Sequence, residues 1–309
     1  MGLLNRLFSW AAAEVQKTTG ETARRNSVAR LKELAQEFRE KVSAAIDQLN
    51  KKIEEFNHSI LNLNKIRSVH VKENNEILCA FLSKFGTCKP MGEYAAESER
   101  IPEKFPEQEL IKIEDYIGDV DWSSDEVFWD TFLQTPIGMK IKTRKQNLSM
   151  QEHMNELVIQ TDATVKELES KKFTTELEKD IADLYISNVL FISRIISSKI
   201  VPELEMVEAF LQAEKVKDQI ICNHELQNVH FSYRVQSLIN TPYHRHYQFI
   251  KNTFAFYIIS CKIYNTPVLT NLLSNRVTEE DQVRIKAERA LLSEHADRLD
   301  NSMLVQRGG

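Results

Sequence analysis

Glycine and proline are scarce in this chain, whose 309 residues include 8 glycines and 7 prolines. An all-β fold needs turn residues every 8–12 positions or so, and a doubly wound α/β fold needs glycines where its strands meet its helices. Neither class fits so few turn residues. We therefore predict an all-α fold, an elongated helical bundle with a long coiled-coil-like helix or hairpin.

Cysteine is equally scarce. The four cysteines, Cys79, Cys88, Cys222 and Cys261, show no CxxC spacing. Disulfide frameworks are denser in cysteine, and thiolate metal sites need pairs of ligands at short spacing. We expect reduced thiols in a cytoplasmic protein that holds no metal and no other cofactor.

Long apolar runs and catalytic motifs are also missing. No 18 consecutive residues are uninterruptedly apolar, and the best candidate, residues 254–261, is closed off by Lys251 and Lys262. A run of that length is too short to cross a bilayer. The chain contains no Walker loop, GxGxxG, GxSxG or HExxH. We predict a protein that is not an enzyme, with a motif-free enzyme or enzyme subunit as one alternative.

The histidines carry two patterns that could hold a metal ion. Glu55 and His58 form a single ExxH pair, whereas carboxylate-bridged bundles need two such pairs on inward faces. We expect both side chains to be exposed. His244 and His246 flank Arg245, and side chains two residues apart on a helix diverge by about 200°. This spacing predicts one core histidine and one surface histidine.

Charge is unevenly distributed along the chain. Residues 1–92 carry 15 Lys/Arg and 10 Asp/Glu, a net charge of +5, whereas residues 93–135 carry 3 and 13, a net charge of −10. Residues 136–309 carry 22 of each sign. Acidic residues alternate with the basic ones in the first region, which is typical of a solvated helix face and not of a stripe that follows phosphates. We exclude nucleic acid as a partner.

Residues 1–20 are predicted to contain an amphipathic helix. At 100° per residue its apolar side covers an arc of about 160°. Its membrane- or partner-facing residues are Leu3, Leu4, Leu7, Phe8 and Trp10. A terminal helix rich in Leu, Phe and Trp suits a membrane interface, but such helices also pack on protein. Membrane binding or membrane remodelling is therefore the first alternative function, ahead of a motif-free enzyme.

Residues 21–92 are predicted to form a long coiled-coil helix, because neither proline nor glycine occurs between Glu21 and Phe85. Apolar residues recur there in steps of four and three, the spacing of a heptad seam. The seam consists of Val42, Ile46, Leu49, Ile53, Phe56, Ile60 and Leu63. It needs a helix of similar length beside it, from this chain or from a second copy.

Residues 93–137 form an acidic connector that contains aromatic residues. Ser123 or Ser124 can cap a short helix there. The aromatic residues of this candidate docking segment are Trp122, Phe128, Trp129 and Phe132. The alternative is a connecting flap that packs over the main helices.

Residues 138–309 are predicted to form a helical bundle with an apolar core. One long helix is expected over residues 138–172, followed by another that begins at Thr174 or Thr175. Pro202 suits either the first turn of a further helix or a kink in a continuing one.

Three threonines mark further helix starts in this region. Thr241 and Thr266 each precede a proline, which suits the first helical turn. Thr278 precedes three acidic residues, which favour a helix N-terminus.

These patterns together predict a helical interaction or scaffold protein. We expect it to self-associate as a homo-oligomer, or to bind a protein partner, through coiled-coil helices. The location is predicted to be cytoplasmic, with peripheral attachment to a membrane surface through the N-terminal helix as a further expectation.

Overall fold

The computed structural model describes residues 21–86, 104–110, 150–221, 238–240 and 244–303. Within these ranges the chain forms helices and turns and contains no strand. The predicted all-α class is therefore confirmed.

The first helical run begins at Glu21 and ends at Leu82. It consists of α1 (Glu21–Ile66), a π-helical segment (Arg67–Val71) and α2 (Lys72–Leu82). The run ends in a turn in which the N–H of Gly86 donates to the carbonyl oxygen of Leu82 at 3.1 Å. This length agrees with the absence of helix-breaking residues from this part of the sequence.

The second helical run comprises α3 (Met150–Ile195), a π-helical segment (Ile196–Ile200) and α4 (Val201–Ile221). Pro202 has no N–H to give to the carbonyl four residues earlier. The π segment shifts the hydrogen-bond register at this point, since the N–H of Val201 donates to the carbonyl of Ile196 five residues back. The helix thus continues past the proline.

The predicted helix start at Thr174 or Thr175 is wrong. Both residues lie in the middle of α3. Their hydroxyl groups donate to carbonyl oxygens four residues earlier, Thr174 to Ser170 at 3.1 Å and Thr175 to Lys171 at 3.0 Å. A threonine hydroxyl that bonds back in this way is compatible with a continuous helix, and nothing in the sequence alone distinguishes it from a cap.

Three helices follow, α5 (His244–Tyr264), α6 (Pro267–Leu273) and α7 (Glu279–Ser302). Two of the predicted starts are confirmed. Pro267 lies in the first turn of α6, and Thr278 forms a capping box with Asp281 at the start of α7. The predicted start at residues 241–242 lies outside the described residues.

The chain divides into two compact units. Unit 1 comprises Met1–Asn57 and Gln108–Glu176, and unit 2 comprises His58–Glu107 and Leu177–Gly309. The boundaries fall inside α1 and α3, so each of these helices contributes to both units.

In unit 1, α1 and α3 lie side by side and run parallel. Lys172 Nζ donates to Gln48 Oε1 at 3.0 Å, and Lys52 Nζ lies 3.3 Å from Glu176 Oε1. Contacts that advance by four residues on both helices require parallel axes. The prediction allowed either a long single helix or a helical hairpin. The two arms of a hairpin are antiparallel, so α1 corresponds to the long single helix.

Unit 2 contains a bundle of four helices. The C-terminal part of α1 with α2 contacts α3 through Asn74 and Ser193, and contacts α5 through Asn75 and Tyr257. The fourth helix, α7, contacts α5 through Asn252 and Arg298 and contacts α3 through Ser187 and Arg289. Its Glu288 also accepts a hydrogen bond from Thr266, which lies between α5 and α6.

The interior of this bundle is apolar with a polar centre. The largest side chains that expose less than 2% of their surface there are aromatic, Tyr185, Phe249, Phe256, Tyr257 and Tyr264. Helix α7 contributes Ile285, Leu292, Ala296 and Leu299, and Met303 follows at its C-terminal end; all five are buried. Burial of these residues is the dominant favourable contribution to the stability of the bundle.

Candidate functional site

The residues of the predicted heptad seam are buried. Val42, Ile46, Leu49, Ile53, Phe56, Ile60 and Leu63 each expose 3% of their surface or less. This burial occurs in a single chain, so the seam is covered from within the molecule. These seven residues are therefore not available to a second copy.

Two other predicted sets lie outside the described residues. They are the N-terminal set Leu3, Leu4, Leu7, Phe8 and Trp10, and the docking set Trp122, Phe128, Trp129 and Phe132. Their roles stay predictions.

The two histidines at the start of α5 have different environments, as their spacing predicted. His244 is exposed, whereas His246 is buried against the ring of Phe210, with the ring centroids 4.8 Å apart. Burial lowers the pKa of His246, and the nearby carboxylate of Glu203 acts in the opposite direction. In the part of the chain that the structure describes, no three His, Cys, Asp or Glu side chains are grouped to hold a metal ion. His58 is exposed.

A polar centre lies inside unit 2, beside the π segment Arg67–Val71. Its central residue is Arg67, whose Nη1 donates to the hydroxyl of Tyr185 at 2.9 Å and to the backbone carbonyl of Tyr264 at 3.1 Å. No carboxylate among the described residues forms an ion pair with this guanidinium, and its Nε has no hydrogen-bond partner there. We call this cluster the Arg67 centre. Short π-helical segments are frequently found at functional sites.

Two aromatic rings lie close to the guanidinium of Arg67. Its Cζ lies 5.7 Å from the ring centroid of Phe105 and 5.9 Å from that of Tyr185. Both distances fall within the range of a cation–π interaction, which is stronger when the cation is desolvated. The guanidinium is therefore held in place by two hydrogen bonds and two rings.

A second layer of hydrogen bonds surrounds the Arg67 centre. Asn74 Nδ2 donates to Ser193 Oγ at 3.1 Å and to the hydroxyl of Tyr264 at 3.4 Å, and Ser193 Oγ lies 3.2 Å from Nδ1 of His70. A nucleophilic serine needs a histidine that a third group orients. Here Asn74 bonds to the serine instead, so the geometry is that of a cross-link between α2 and α3.

Burial governs the titration of this region. Desolvation raises the pKa of Tyr185, which is fully buried, and the Arg67 guanidinium opposes this effect. Desolvation also raises the pKa of Cys261 to about 12. The Cys261 thiol is protonated at neutral pH, and a buried thiol of this kind is unreactive.

Glu288 is an acidic residue whose charge acts on the Arg67 centre by raising the pKa of Tyr185. Its Oε1 accepts a hydrogen bond from the Thr266 hydroxyl at 2.7 Å, and its buried Oε2 has no partner among the described residues. Burial raises the pKa of this carboxyl, and the Thr266 hydrogen bond opposes the shift. Thr266 thus uses its hydroxyl for a tertiary contact and not for capping α6.

Phe105 is joined to the Arg67 centre through Asn64. The backbone N–H of Phe105 donates to Asn64 Oδ1 at 2.7 Å, and Asn64 Nδ2 donates to the carbonyl oxygen of Phe105 at 2.9 Å. One side-chain amide therefore satisfies both main-chain groups of one residue. The Phe105 ring exposes only 4% of its surface, while its neighbours Lys104 and Pro106 are exposed.

A second feature of unit 2 is a row of exposed side chains on α4, which we call the α4 stripe. Its residues recur in steps of three and four, and they are Met206, Ala209, Ala213, Val216 and Ile220. Ile220 exposes 67% of its surface. The opposite face of the helix is buried through Leu204, Val207 and Leu211. Helix α4 thus has two apolar faces, of which one is covered.

The helical run Thr161–Ala213 is long and apolar enough to cross a membrane, judged by length and composition alone. Within the most apolar part of this run, 44% of the residues are buried inside the protein. Tyr185, Ile192 and Val207 belong to the run and to the core of unit 2. Core helices of soluble proteins meet the same criterion, so this observation is weak support for a membrane span.

Sequence reasoning missed Asn64, Arg67 and Phe105. A signal for the first was present, because Asn50, Asn57 and Asn64 each follow a seam residue at heptad spacing. Three asparagines spaced by seven residues beside an apolar seam indicate a row of polar side chains along one side of α1. No comparable signal marks Arg67 or Phe105, whose roles depend on contacts between residues distant in the sequence.

The fold and these sites define the chain as an all-α protein with a polar centre and an exposed heptad stripe. Comparison with protein-family models, curated proteins and solved structures found no match. The proposals below therefore rest on the geometry of the described residues.

Proposed function

We propose that the chain is a non-enzymatic helical interaction protein that self-associates through the α4 stripe. The observation that carries the proposal is a heptad row of apolar side chains that remains exposed on a helix whose other face is buried. Heptad spacing matches the surface that a second helix presents, since the exposed seam of one helix receives the side chains of another.

The stripe suits a second copy of itself. In an antiparallel pair with two-fold symmetry, Met206 faces Val216 of the second copy, and Ala209 faces Ala213. Large residues then meet large ones, and small residues allow the two backbones to approach. A two-fold interface requires such self-complementarity, because the same patch serves both subunits.

The proposal differs from the sequence-based expectation in its location. The sequence predicted that the seam of α1 is covered by a helix of this chain or of a second copy, and its residues are buried in one chain. The proposed mode of self-association is still the pairing of helices through heptad residues, but the α4 stripe forms this contact instead of the α1 seam.

Analytical ultracentrifugation of the full chain over a range of concentrations tests the proposal. We expect reversible dimerisation that Val216→Glu with Ile220→Glu weakens by at least tenfold or so, since each charge would be buried without a partner. Gln212→Glu, which adds a charge to the same helix at an exposed position off the stripe, is the matched control. A chain that stays monomeric at all concentrations, or a dimer indifferent to the double substitution, would overturn the proposal.

A further inference from the structure

Residues 104–107 are anchored in unit 2 by one buried side chain. Phe105 is buried, whereas Lys104, Pro106 and Glu107 are exposed. A segment without regular secondary structure that has one buried anchor between exposed neighbours has the form of a bound peptide.

The receptor for this anchor is built by the helices. Asn64 lies on α1, and Arg67 follows in the π segment, where Tyr185 and the carbonyl of Tyr264 fix its guanidinium. These supporting contacts do not involve Phe105. The two hydrogen bonds of Arg67 and its contact with the Tyr185 ring therefore remain when another residue takes the place of Phe105.

The receptor recognises two features of its occupant. Asn64 binds the N–H and the carbonyl of one residue, at 2.7 and 2.9 Å, and these groups belong to any extended polypeptide. Arg67 selects an aromatic ring through the cation–π contact at 5.7 Å. The proline that follows favours an extended backbone at the anchor residue, because it disfavours the helical region there.

We propose that Asn64 and Arg67 form a docking site for extended Phe-Pro segments of a partner polypeptide, and that Phe105 of the same chain occupies the site until such a segment displaces it. Phe105 is tethered to the site by its own chain. It therefore competes with a partner segment as if it were present at an effective concentration of about millimolar, the value for a short linker. Removal of the Phe105 ring weakens this competition by removing the cation–π contact, while the main-chain hydrogen bonds of residue 105 to Asn64 remain. This inference concerns unit 2 contacts other than the α4 stripe and does not depend on dimerisation.

The test uses the full chain and a fluorescent peptide with the sequence of residues 104–110, Lys-Phe-Pro-Glu-Gln-Glu-Leu. By fluorescence anisotropy, the Phe105→Ala chain is expected to bind this peptide at least about tenfold more tightly than the unchanged chain. A peptide with alanine in place of phenylalanine is expected not to bind. Adding Asn64→Asp to Phe105→Ala removes the side-chain donor to the main-chain carbonyl of the bound residue, with little change in size, and is expected to reduce binding by about tenfold.

Circular dichroism of each variant shows whether it folds. A folded Phe105→Ala chain that binds the peptide no better than the unchanged chain would overturn the proposal, as would binding that Asn64→Asp leaves intact. If Phe105→Ala does not fold, Phe105→Leu decides, because leucine keeps an apolar anchor and loses the ring. Its peptide affinity is expected to rise by about threefold or more, and an unchanged affinity would refute the docking site.

Discussion

The side chain of Asn57 forms two hydrogen bonds with the main chain of Gln108. Its Oδ1 accepts the backbone N–H of Gln108 at 2.8 Å, and its Nδ2 donates to the carbonyl oxygen of Gln108 at 2.9 Å. Both residues belong to unit 1. A single asparagine of α1 thus supplies hydrogen bonds that a neighbouring strand would supply in a sheet.

Asn57→Ala is expected to lower the free energy of unfolding by about 1–2 kcal/mol, because two main-chain groups lose their partners. Urea denaturation measures this change. Hydrogen exchange at the Gln108 amide is expected to accelerate by more than the loss of global stability explains. Asn62→Ala, at an exposed position of the same helix, is the control, and equal exchange at Gln108 in both variants would contradict the assigned contact.

Arg67 and Tyr185 are expected to be energetically coupled. Arg67→Met removes the donor to the Tyr185 hydroxyl and to the Tyr264 carbonyl, and should cost about 1–3 kcal/mol. Tyr185→Phe in the same chain should then cost less than it does alone, with a coupling energy of about 1 kcal/mol or more.

Thermal or urea unfolding of the two single variants and the double variant completes this cycle. The ion pair between Lys199 and Asp300 joins partly exposed side chains and is the control cycle, with an expected coupling below about 1 kcal/mol. Strict additivity for Arg67 and Tyr185 would show that the hydrogen bond contributes nothing to stability.

Much of the fold follows from local pattern. The scarcity of glycine and proline accounts for two long helical runs, and the capping box of Thr278 and Asp281 is a signal of a few residues. The parallel alignment of α1 and α3 is different, since it depends on how side chains such as Lys52 and Glu176 meet. Nothing in either helix alone specifies that direction.

The candidate sites were predicted less well for the same reason. The heptad of the α1 seam correctly indicated apolar residues with a common environment, but periodicity does not distinguish a seam covered within the chain from one that awaits a partner. The exposed row on α4 was overlooked because Leu204, Val207 and Leu211 gave that helix an apolar face already. Arg67 could not be recognised, because its hydrogen-bond partners Tyr185 and Tyr264 lie more than a hundred residues away in the sequence.

The carboxyl of Glu288 is expected to make the stability of unit 2 depend on pH. Its pKa in the folded protein is raised above the ordinary value of 4.5 by burial. The folded state therefore binds this proton more tightly than the unfolded state does. The resulting stabilisation is complete below about pH 4.5 and is lost as pH rises through the folded pKa.

Glu288→Gln removes this titration and keeps an acceptor for Thr266. The difference in melting temperature between this variant and the unchanged chain should favour the variant more at pH 7 than at pH 4. Differential scanning calorimetry at both values measures it. Glu294→Gln, at an exposed position of α7, is the control, and a difference for Glu288→Gln that is the same at both pH values would contradict the burial of a titrating carboxyl.

The α1 seam permits a comparison of two neighbouring positions. Leu49 exposes none of its surface, whereas Lys51 is exposed on the same helix. Leu49→Asp buries an unpaired charge and is expected to cost several kcal/mol, about 3 or more. Lys51→Asp should change the free energy of unfolding by about 0.5 kcal/mol or less. Equal tolerance of both substitutions in urea denaturation would refute the packing of the seam.

The N-terminal residues Phe8 and Trp10 provide a test of the membrane hypothesis that the described residues do not address. If both enter a lipid interface, binding should rise with the content of anionic lipid, and the two side chains should contribute a few kcal/mol at about 25 cal/mol per Å² of buried apolar area. Phe8→Glu with Trp10→Glu should then abolish sedimentation with liposomes and leave the melting temperature unchanged. Asn5→Glu with Ser9→Glu, on the polar side of the predicted helix, controls for charge repulsion by the lipid. A lower melting temperature for the Phe8 and Trp10 variant, together with no liposome binding by the unchanged chain, would mean that this helix packs on protein, because an apolar face removed from a packed interface destabilises the fold.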